Sequence, residues 1–191
     1  MLRRTLPVTA LAAFAGVWGV VSTAAATPAV SRPLAVSDLP PGFKEQGVPL
    51  LSAPCSEIFL PKDAPHHVVV GFSSPAMVIE EALTSTAGAR AVYGELASRY
   101  SGCRSIPLTK SNGSRLSGTG TRLASPSVGD QSRAFLFHLV VNGYTVNDEV
   151  VIFRKGQTCG VVTFISEDAL SQPSVELVSA LAASKVSVSS S

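Results

Sequence analysis

The clearest pattern along the chain is a series of three apolar segments in its C-terminal half. They span residues 133–141, 148–154 and 158–165, and the connections Asn142-Gly143-Tyr144 and Lys155-Gly156-Gln157 separate them. Short connections that contain glycine favour antiparallel hairpins. The pattern therefore predicts a three-strand antiparallel meander.

The first of these strands is apolar on both faces. Phe135, Phe137 and Leu139 alternate with Leu136 and His138, so that each set shares one face of the predicted strand. We therefore expect the strand to be central in its sheet or covered on both sides, and aromatic residues of the meander are candidates to line a cleft. The candidates are Phe135, Phe137, His138, Phe153 and Phe164.

The apolar period changes to that of a helix in two places. Between residues 86 and 101 an apolar stripe recurs at helical spacing, and Pro173 opens a second helix. The first stripe consists of Ala89, Val92, Tyr93, Leu96 and Tyr100. The second consists of Val175, Leu177, Val178 and Leu181.

Weaker patterns predict further strands at 68–72 and 76–84, and a hairpin of strands 106–110 and 114–123 that turns at Asn112-Gly113. Helices and strands do not alternate strictly, which argues against a doubly wound sheet. The pattern favours an α+β fold in which an N-terminal-half helix and a C-terminal helix pack on an antiparallel sheet.

The N-terminus has the parts of a secretory signal. Arg3 and Arg4 precede an apolar run over residues 6–21, and small residues follow at 24–26. We expect cleavage near Ala26, a proline-containing extended leader over 27–37, one domain over 38–188 and a polar tail over 189–191. The alternative is an uncleaved membrane anchor, because an apolar segment of about 20 residues can span a bilayer.

Composition limits the classes of partner. The whole chain carries a formal net charge of +2, which falls to zero when Arg3 and Arg4 are removed with the signal. Binding to nucleic acid relies on an excess of Lys and Arg, so we expect no nucleic-acid partner. Membrane contact is expected only through an uncleaved N-terminal segment.

The three cysteines all follow the signal, in a compartment where disulfides persist. Cys55 and Cys103 lie in irregular segments, whereas Cys159 lies in a Val-rich strand, where a thiol behaves as a small hydrophobe. We predict a Cys55–Cys103 bridge. Pairing of Cys159 with either of them, or with another chain, stays open as the alternative.

Candidate catalytic groups do not form a recognisable motif. His66 and His67 are adjacent and diverge on an extended chain, which disfavours a shared metal ion. Ser73 and Ser74 lack the second glycine of a nucleophile elbow. We therefore predict no catalytic residue, no metal site and no cofactor, and keep a small hydrolase that uses one of these four residues as an alternative.

Three pairs of adjacent acidic residues are interpreted as structural rather than catalytic. Glu80 and Glu81 are adjacent in a predicted strand, so their side chains should diverge and cannot act as a glycosidase pair. Asp148-Glu149 and Glu167-Asp168 border predicted strands, where they are expected to keep the strand ends solvated.

Several short motifs together resemble actinobacterial exported sensor-domain proteins, similar to the PknH-like extracellular domain of a mycobacterial receptor serine/threonine kinase. The motifs are Asp38-Leu39-Pro40-Pro41-Gly42-Phe43, Pro54-Cys55, the helix that ends at Cys103, Val128-Gly129-Asp130, Phe153-Arg154-Lys155-Gly156 and Val161-Val162. The resemblance implies a twisted antiparallel sheet packed by helices, a cleft for an unknown ligand and an intramolecular disulfide, which suits Cys55 and Cys103. The chain departs from the receptor by lacking a kinase domain, and from related lipoproteins by lacking a lipobox cysteine.

These observations favour a non-enzymatic, sensor-like binding domain that is secreted or held outside the cytoplasm at the cell envelope. Its expected partner is a small apolar or envelope-derived ligand, or an envelope protein. The alternatives are the hydrolase and a structural or interaction protein of the envelope.

Overall fold

A computed structural model describes residues 31–47, 67–104, 108–109, 115–141 and 143–187. The strands are β1 Lys44–Gln46, β2 His67–Ser73, β3 Val78–Ser85, β4 Leu108–Thr109, β5 Arg115–Arg122, β6 Gln131–Val141, β7 Tyr144–Lys155 and β8 Thr158–Ser166. The helices are α1 Ala89–Gly102 and α2 Gln172–Ser184, and a 3₁₀ turn spans Val36–Asp38.

The described strands form one antiparallel sheet in the order β1-β2-β3-β8-β7-β6-β5-β4. This arrangement confirms the predicted α+β class. The three C-terminal strands are not a separate unit, because β8 also pairs with β3 over the whole of that strand. β3 is almost completely buried. The longest strands, β6, β7 and β8, all lie in the interior of the sheet.

Each face of the sheet carries its own apolar core. On one face, Tyr93, Leu96 and Tyr100 of α1 pack with Phe135 and Phe137. On the opposite face, α2 packs on residues that include Ile79, Val151, Phe153, Val162 and Phe164. The period of two along each strand separates these two sets, and we call the two surfaces the α1 face and the α2 face.

The predicted apolar stripe of α2 is wrong at Leu177, which is 69% exposed. The buried residues of α2 are Val175, Val178, Ser179, Ala182 and Ala183. They follow the spacing of one helical face, on which Leu177 lies about 200° from Val175. Val175 and Val178 are buried as predicted and Leu181 packs against the core, but the small buried residues Ser179, Ala182 and Ala183 were not part of the predicted stripe.

The predicted boundary between leader and domain is also wrong, because residues before Asp38 belong to the domain. Leu34 is 3% exposed in the α2-face core. Its backbone N–H donates to Glu81 Oε2 at 2.6 Å, and the Lys185 ammonium pairs with the Asp38 carboxylate. Phe43 packs against the same core.

β6 lies inside the sheet between β7 and β5, in line with the expectation that this strand is central or covered on both sides, but one of its faces is open at the C-terminal end. Ala134 is buried, but His138 is exposed and Val140 is 41% exposed. The covering elements of the α2 face therefore do not reach this end of the strand.

The N-terminal segment predicted to be a signal lies outside the described residues, as do Cys55 and His66. In the part of the chain that the structure describes, neither helix has the length and apolar character needed to cross a membrane.

Candidate functional site

The residues predicted to line one cleft do not come together. Phe135 and Phe137 belong to the α1-face core, whereas Phe153 and Phe164 belong to the α2-face core. All four are at most 2% exposed, so they stabilise the two cores and do not form an open apolar cleft. His138 is exposed beside β7, with its Nδ1 atom 2.8 Å from Asn147 Oδ1.

A groove instead runs between α1 and strands β5 and β6. Its first half is a cavity of about 460 Å³, lined by residues that include Arg90, Tyr93, Ser98, Ser101, Gln131 and Arg133. Its second half is a cavity of about 360 Å³, lined by residues that include Tyr100, Ser101, Arg104, Thr121, Arg122 and Phe135. The two halves meet at Ser101, and we call them together the arginine groove.

Strand geometry places two of the arginines on the α1 face. Arg133 and Phe135 are two residues apart on β6, so their side chains share a face. Arg122 of β5 is paired with Phe135 and therefore lies on the same face. The other two arginines come from the ends of the helix, since Arg90 is in its first turn and Arg104 follows its C-cap residue.

Gly120 allows the end of α1 to approach β5 closely. A Cβ atom at this position would lie 2.2 Å from the Cys103 carbonyl oxygen and 2.6 Å from Cε1 of Phe137. The first contact is with backbone and cannot yield easily. Any larger residue at position 120 would push the helix end away from the strand and widen the second half of the groove.

The groove is positively charged. Within the described part of the chain, the ion pairs involve Arg99, Arg154 and Lys185, and none involves an arginine of the groove. Burial raises the pKa of Tyr93, whereas the charges of Arg133 and Arg122 lower it, so both guanidiniums lie near this phenol.

The floor of the groove is apolar and rigid. The Tyr100 ring stacks on Phe135 with ring centroids 5.6 Å apart, and both side chains are buried. Guanidinium groups above such a floor can form paired hydrogen bonds to phosphate or carboxylate groups. The described titratable side chains of the groove are arginines and tyrosines, a set suited to holding an anion and poorly suited to acid–base catalysis near neutral pH.

Buried carboxyl groups lie elsewhere under α1. Glu80 is 6% exposed and Asp148 is 2% exposed. Burial raises the pKa of each to about 7, and for Asp148 the negative charge of Glu80 adds to the effect. The interpretation of Asp148-Glu149 as solvated strand-end residues is therefore wrong. Because β7 begins at Tyr144, both residues lie well inside the strand.

The predicted divergence of Glu80 and Glu81 is confirmed. Glu81 lies on the α2 face, where it accepts a hydrogen bond from the Leu34 backbone, while Glu80 interacts with Asp148 on the α1 face.

The described hydrolase candidates do not form a catalytic group. Ser74 Oγ donates to the Met77 carbonyl oxygen, at 3.3 Å. Nδ1 of His67 lies 3.1 Å from Thr84 Oγ1, but Thr84 is fully buried and cannot meet a substrate. Among the described residues, no three His, Cys, Asp or Glu side chains are grouped so that they could hold a metal ion.

Cys159 is a buried free thiol on the α1 face. Burial raises its pKa to about 12, so it is unreactive at neutral pH. The predicted Cys55–Cys103 bridge involves a residue outside the described part of the chain and stays a prediction.

Comparison with known proteins gives a likeness of structure. Part of the chain is similar to the extracellular domain of PknH from Mycobacterium tuberculosis, with 12% sequence identity and a TM-score of 0.47. The similar region covers 63% of this chain and 62% of that domain, and thus spans less than two thirds of it. No family model matches the sequence, and no curated protein matches it significantly.

Proposed function

We propose that the protein is an exported, non-enzymatic binding domain of the cell envelope, and that the arginine groove is its ligand site. The observation that carries this proposal is the grouping of Arg90, Arg104, Arg122 and Arg133 around one groove without a carboxylate partner among the described residues. Export is inferred from the signal-like segment at the N-terminus.

The charge of the groove supports an anionic ligand. With the signal removed the domain is formally neutral, so its positive charge is concentrated locally. Like charges that share a groove repel one another, and an anion that neutralises them removes this repulsion. Ligand sites commonly have volumes of about 300–1,000 Å³, and each half of the groove falls within this range.

The ligand class differs from the small apolar molecule that the sequence suggested. The aromatic side chains that would bind such a molecule are in the two cores. An envelope-derived molecule that carries negative charge fits the groove better, because guanidinium groups can pair with its charged groups.

The test is native mass spectrometry of the full chain purified from the envelope fraction of its own host. Three forms are compared: the wild-type protein, the double variant Arg122→Ala/Arg133→Ala, and the control Arg99→Ala, whose arginine is paired with Glu95 outside the groove. We expect a co-purifying mass on the wild type and the control that is absent from the double variant. The same mass on all three forms would show that the groove is not the ligand site.

A further inference from the structure

The four arginines of the groove are arranged along its length. Arg90 lies in the first turn of α1, and Arg104 lies just beyond its end. The helix has 14 residues, which correspond to about 20 Å of helix axis. The two outer arginines are therefore too far apart to contact the same small anion.

The two inner arginines, Arg122 and Arg133, lie between the two outer ones along the groove. Arg122 is paired with Phe135, and Arg133 is two residues from Phe135 along β6, so the two arginines are diagonal neighbours. Residues in this relation have Cα atoms about 7–8 Å apart. Each half of the groove thus has one arginine from an end of the helix and one from the sheet: Arg90 with Arg133, and Arg104 with Arg122.

Hydroxyl groups lie between the charges of the first half, which Ser98 and Tyr93 line. Ser, Thr and Tyr hydroxyls and Arg side chains are common donors to phosphate oxygens. A single carboxylate has two acceptor oxygens, whereas a chain of phosphates repeats two non-bridging oxygens on each of its groups, so its acceptors continue along the groove.

We propose, on the basis of the proposed function, that the groove binds a linear chain of phosphate groups that extends through both halves. The two arginine pairs hold separate phosphates of the same chain, and Ser101, which lines both halves, marks the point at which the chain passes from one half to the other. Inorganic polyphosphate and a phosphodiester-linked polymer of the envelope share this chemistry.

A nucleic acid fits the groove less well. Binding of single strands without sequence preference uses exposed aromatic rings on which bases stack. The aromatic residues of the groove are buried instead: Tyr93 is 7% exposed, Tyr100 is 6% exposed and Phe135 is 2% exposed. The groove therefore has donors for a phosphate backbone and no platform for bases among its described residues.

The proposal is tested by calorimetric titration of the full chain with orthophosphate, tripolyphosphate, a longer polyphosphate and an oligomer of glycerol phosphate. We expect affinity to rise at least tenfold from orthophosphate to the longer chains, because binding in the second half becomes intramolecular once the first half is occupied. A preference for the polyphosphate or for the glycerol phosphate oligomer separates the two sources of the chain.

Variants at the two ends distinguish a chain from a compact anion. Arg90→Ala/Arg104→Ala should weaken binding of the longer chains about tenfold or more. It should also reduce the salt dependence of binding, whose slope falls by about one for each phosphate that is no longer neutralised. The control Arg99→Ala should bind all probes like the wild type. Thermal unfolding checks that each variant is folded. We expect all of them to fold, because the substituted arginines are exposed.

Three outcomes would overturn the proposal. If orthophosphate binds as tightly as the chains and only Arg122→Ala/Arg133→Ala abolishes binding, the groove holds a compact anion; the chain is then refuted, while the proposed function stands. If an oligonucleotide binds more tightly than either chain, the ligand class is wrong. If Arg99→Ala weakens binding as much as the groove variants, the attraction is not specific to the groove and both proposals fail.

Discussion

The buried carboxyl groups on the two faces of the sheet differ in their hydrogen-bond partners. On the α2 face, Glu81 accepts a hydrogen bond from the Leu34 backbone at 2.6 Å, and Glu149 accepts one from Gln172 Nε2 at 2.7 Å. On the α1 face, Glu80 and Asp148 form no hydrogen bond within the described part of the chain. Each of these four carboxyl groups has one buried oxygen without a partner, so the faces differ in the hydrogen bond that the other oxygen accepts on the α2 face. The α2 face is thus better satisfied.

The covering elements explain this difference. The α2 face is closed by α2 together with residues 31–39, which are tied to α2 by the Lys185–Asp38 ion pair and by the hydrogen bond between Arg32 N and Lys185 O. The α1 face is covered by one helix, and the arginine groove runs beside it. We infer that the α2 face mainly stabilises the fold, while the α1 face contains the ligand site and bears an electrostatic cost.

The largest expected effect is on the α2 face. Phe153→Ala should lower the free energy of unfolding by about 3–5 kcal/mol, because it opens a cavity in a packed core. Chemical denaturation measures this loss, and Leu177→Ala at an exposed position is the control, with a change of about 0.5 kcal/mol or less. If Phe153→Ala instead spared stability and abolished ligand binding, Phe153 would line a cleft, as the sequence suggested.

A smaller effect on the free energy of unfolding is expected under α1, where neutralising a buried carboxyl group should stabilise the protein. The folded-state pKa values of Glu80 and Asp148, about 7, exceed their ordinary values of 4.5 and 3.8, and burial raises the pKa of Glu81 on the α2 face to about 7 as well. The folded state therefore binds more protons than the unfolded state in the interval between these values. Stability should be highest at acid pH, fall as the pH rises towards about 7 and level off above it.

Asp148→Asn removes one of these charges with little change of shape. At about pH 8 it should raise the free energy of unfolding by about 2 kcal/mol, the scale of one unsatisfied buried polar group. At about pH 4 the gain should vanish, because the native carboxyl is then neutral. Urea denaturation at both pH values measures this, with the exposed Glu167→Gln as control. An equal gain at both pH values would rule out the charge as its cause.

The smallest expected effect compares one cation from each face. Lys185→Met should cost about 1 kcal/mol, because it breaks a partly buried ion pair and leaves Asp38 with fewer donors. Arg122→Met should leave stability within about 0.5 kcal/mol, since Arg122 forms no ion pair with a described residue. Thermal unfolding of the two variants side by side measures the difference. A larger loss for Arg122→Met would mean that this arginine supports the fold.

The periodicity of the sequence predicted most elements, because strands and helices with one buried face repeat their apolar residues at fixed spacing. The predictions failed where burial depends on long-range contacts. Leu34 follows a proline and looked like part of a leader, yet Glu81 holds it against the core. Asp148 looked solvated because acidic residues seldom lie inside a central strand.

The candidate site was missed for a related reason. Arg122 and Arg133 become neighbours only through the β5–β6 register, and Arg90 and Arg104 approach them only when α1 packs on that face. A partial signal was available, since Arg133 alternates in phase with Phe135 and Phe137, which placed a cation on an otherwise apolar face. The glycines of β5 could not be linked to the groove from the sequence. Gly120 matters there only because the folded chain brings the end of α1 against β5.

The most direct test of the central claim is an NMR titration of the arginine side-chain Nε–Hε signals with tripolyphosphate. We predict saturable shifts for Arg122 and Arg133, with no comparable shift for Arg99, which is paired with Glu95 outside the groove. Similar, non-saturating shifts of all three signals would contradict this prediction, because they would show that the groove has no selectivity for the anion.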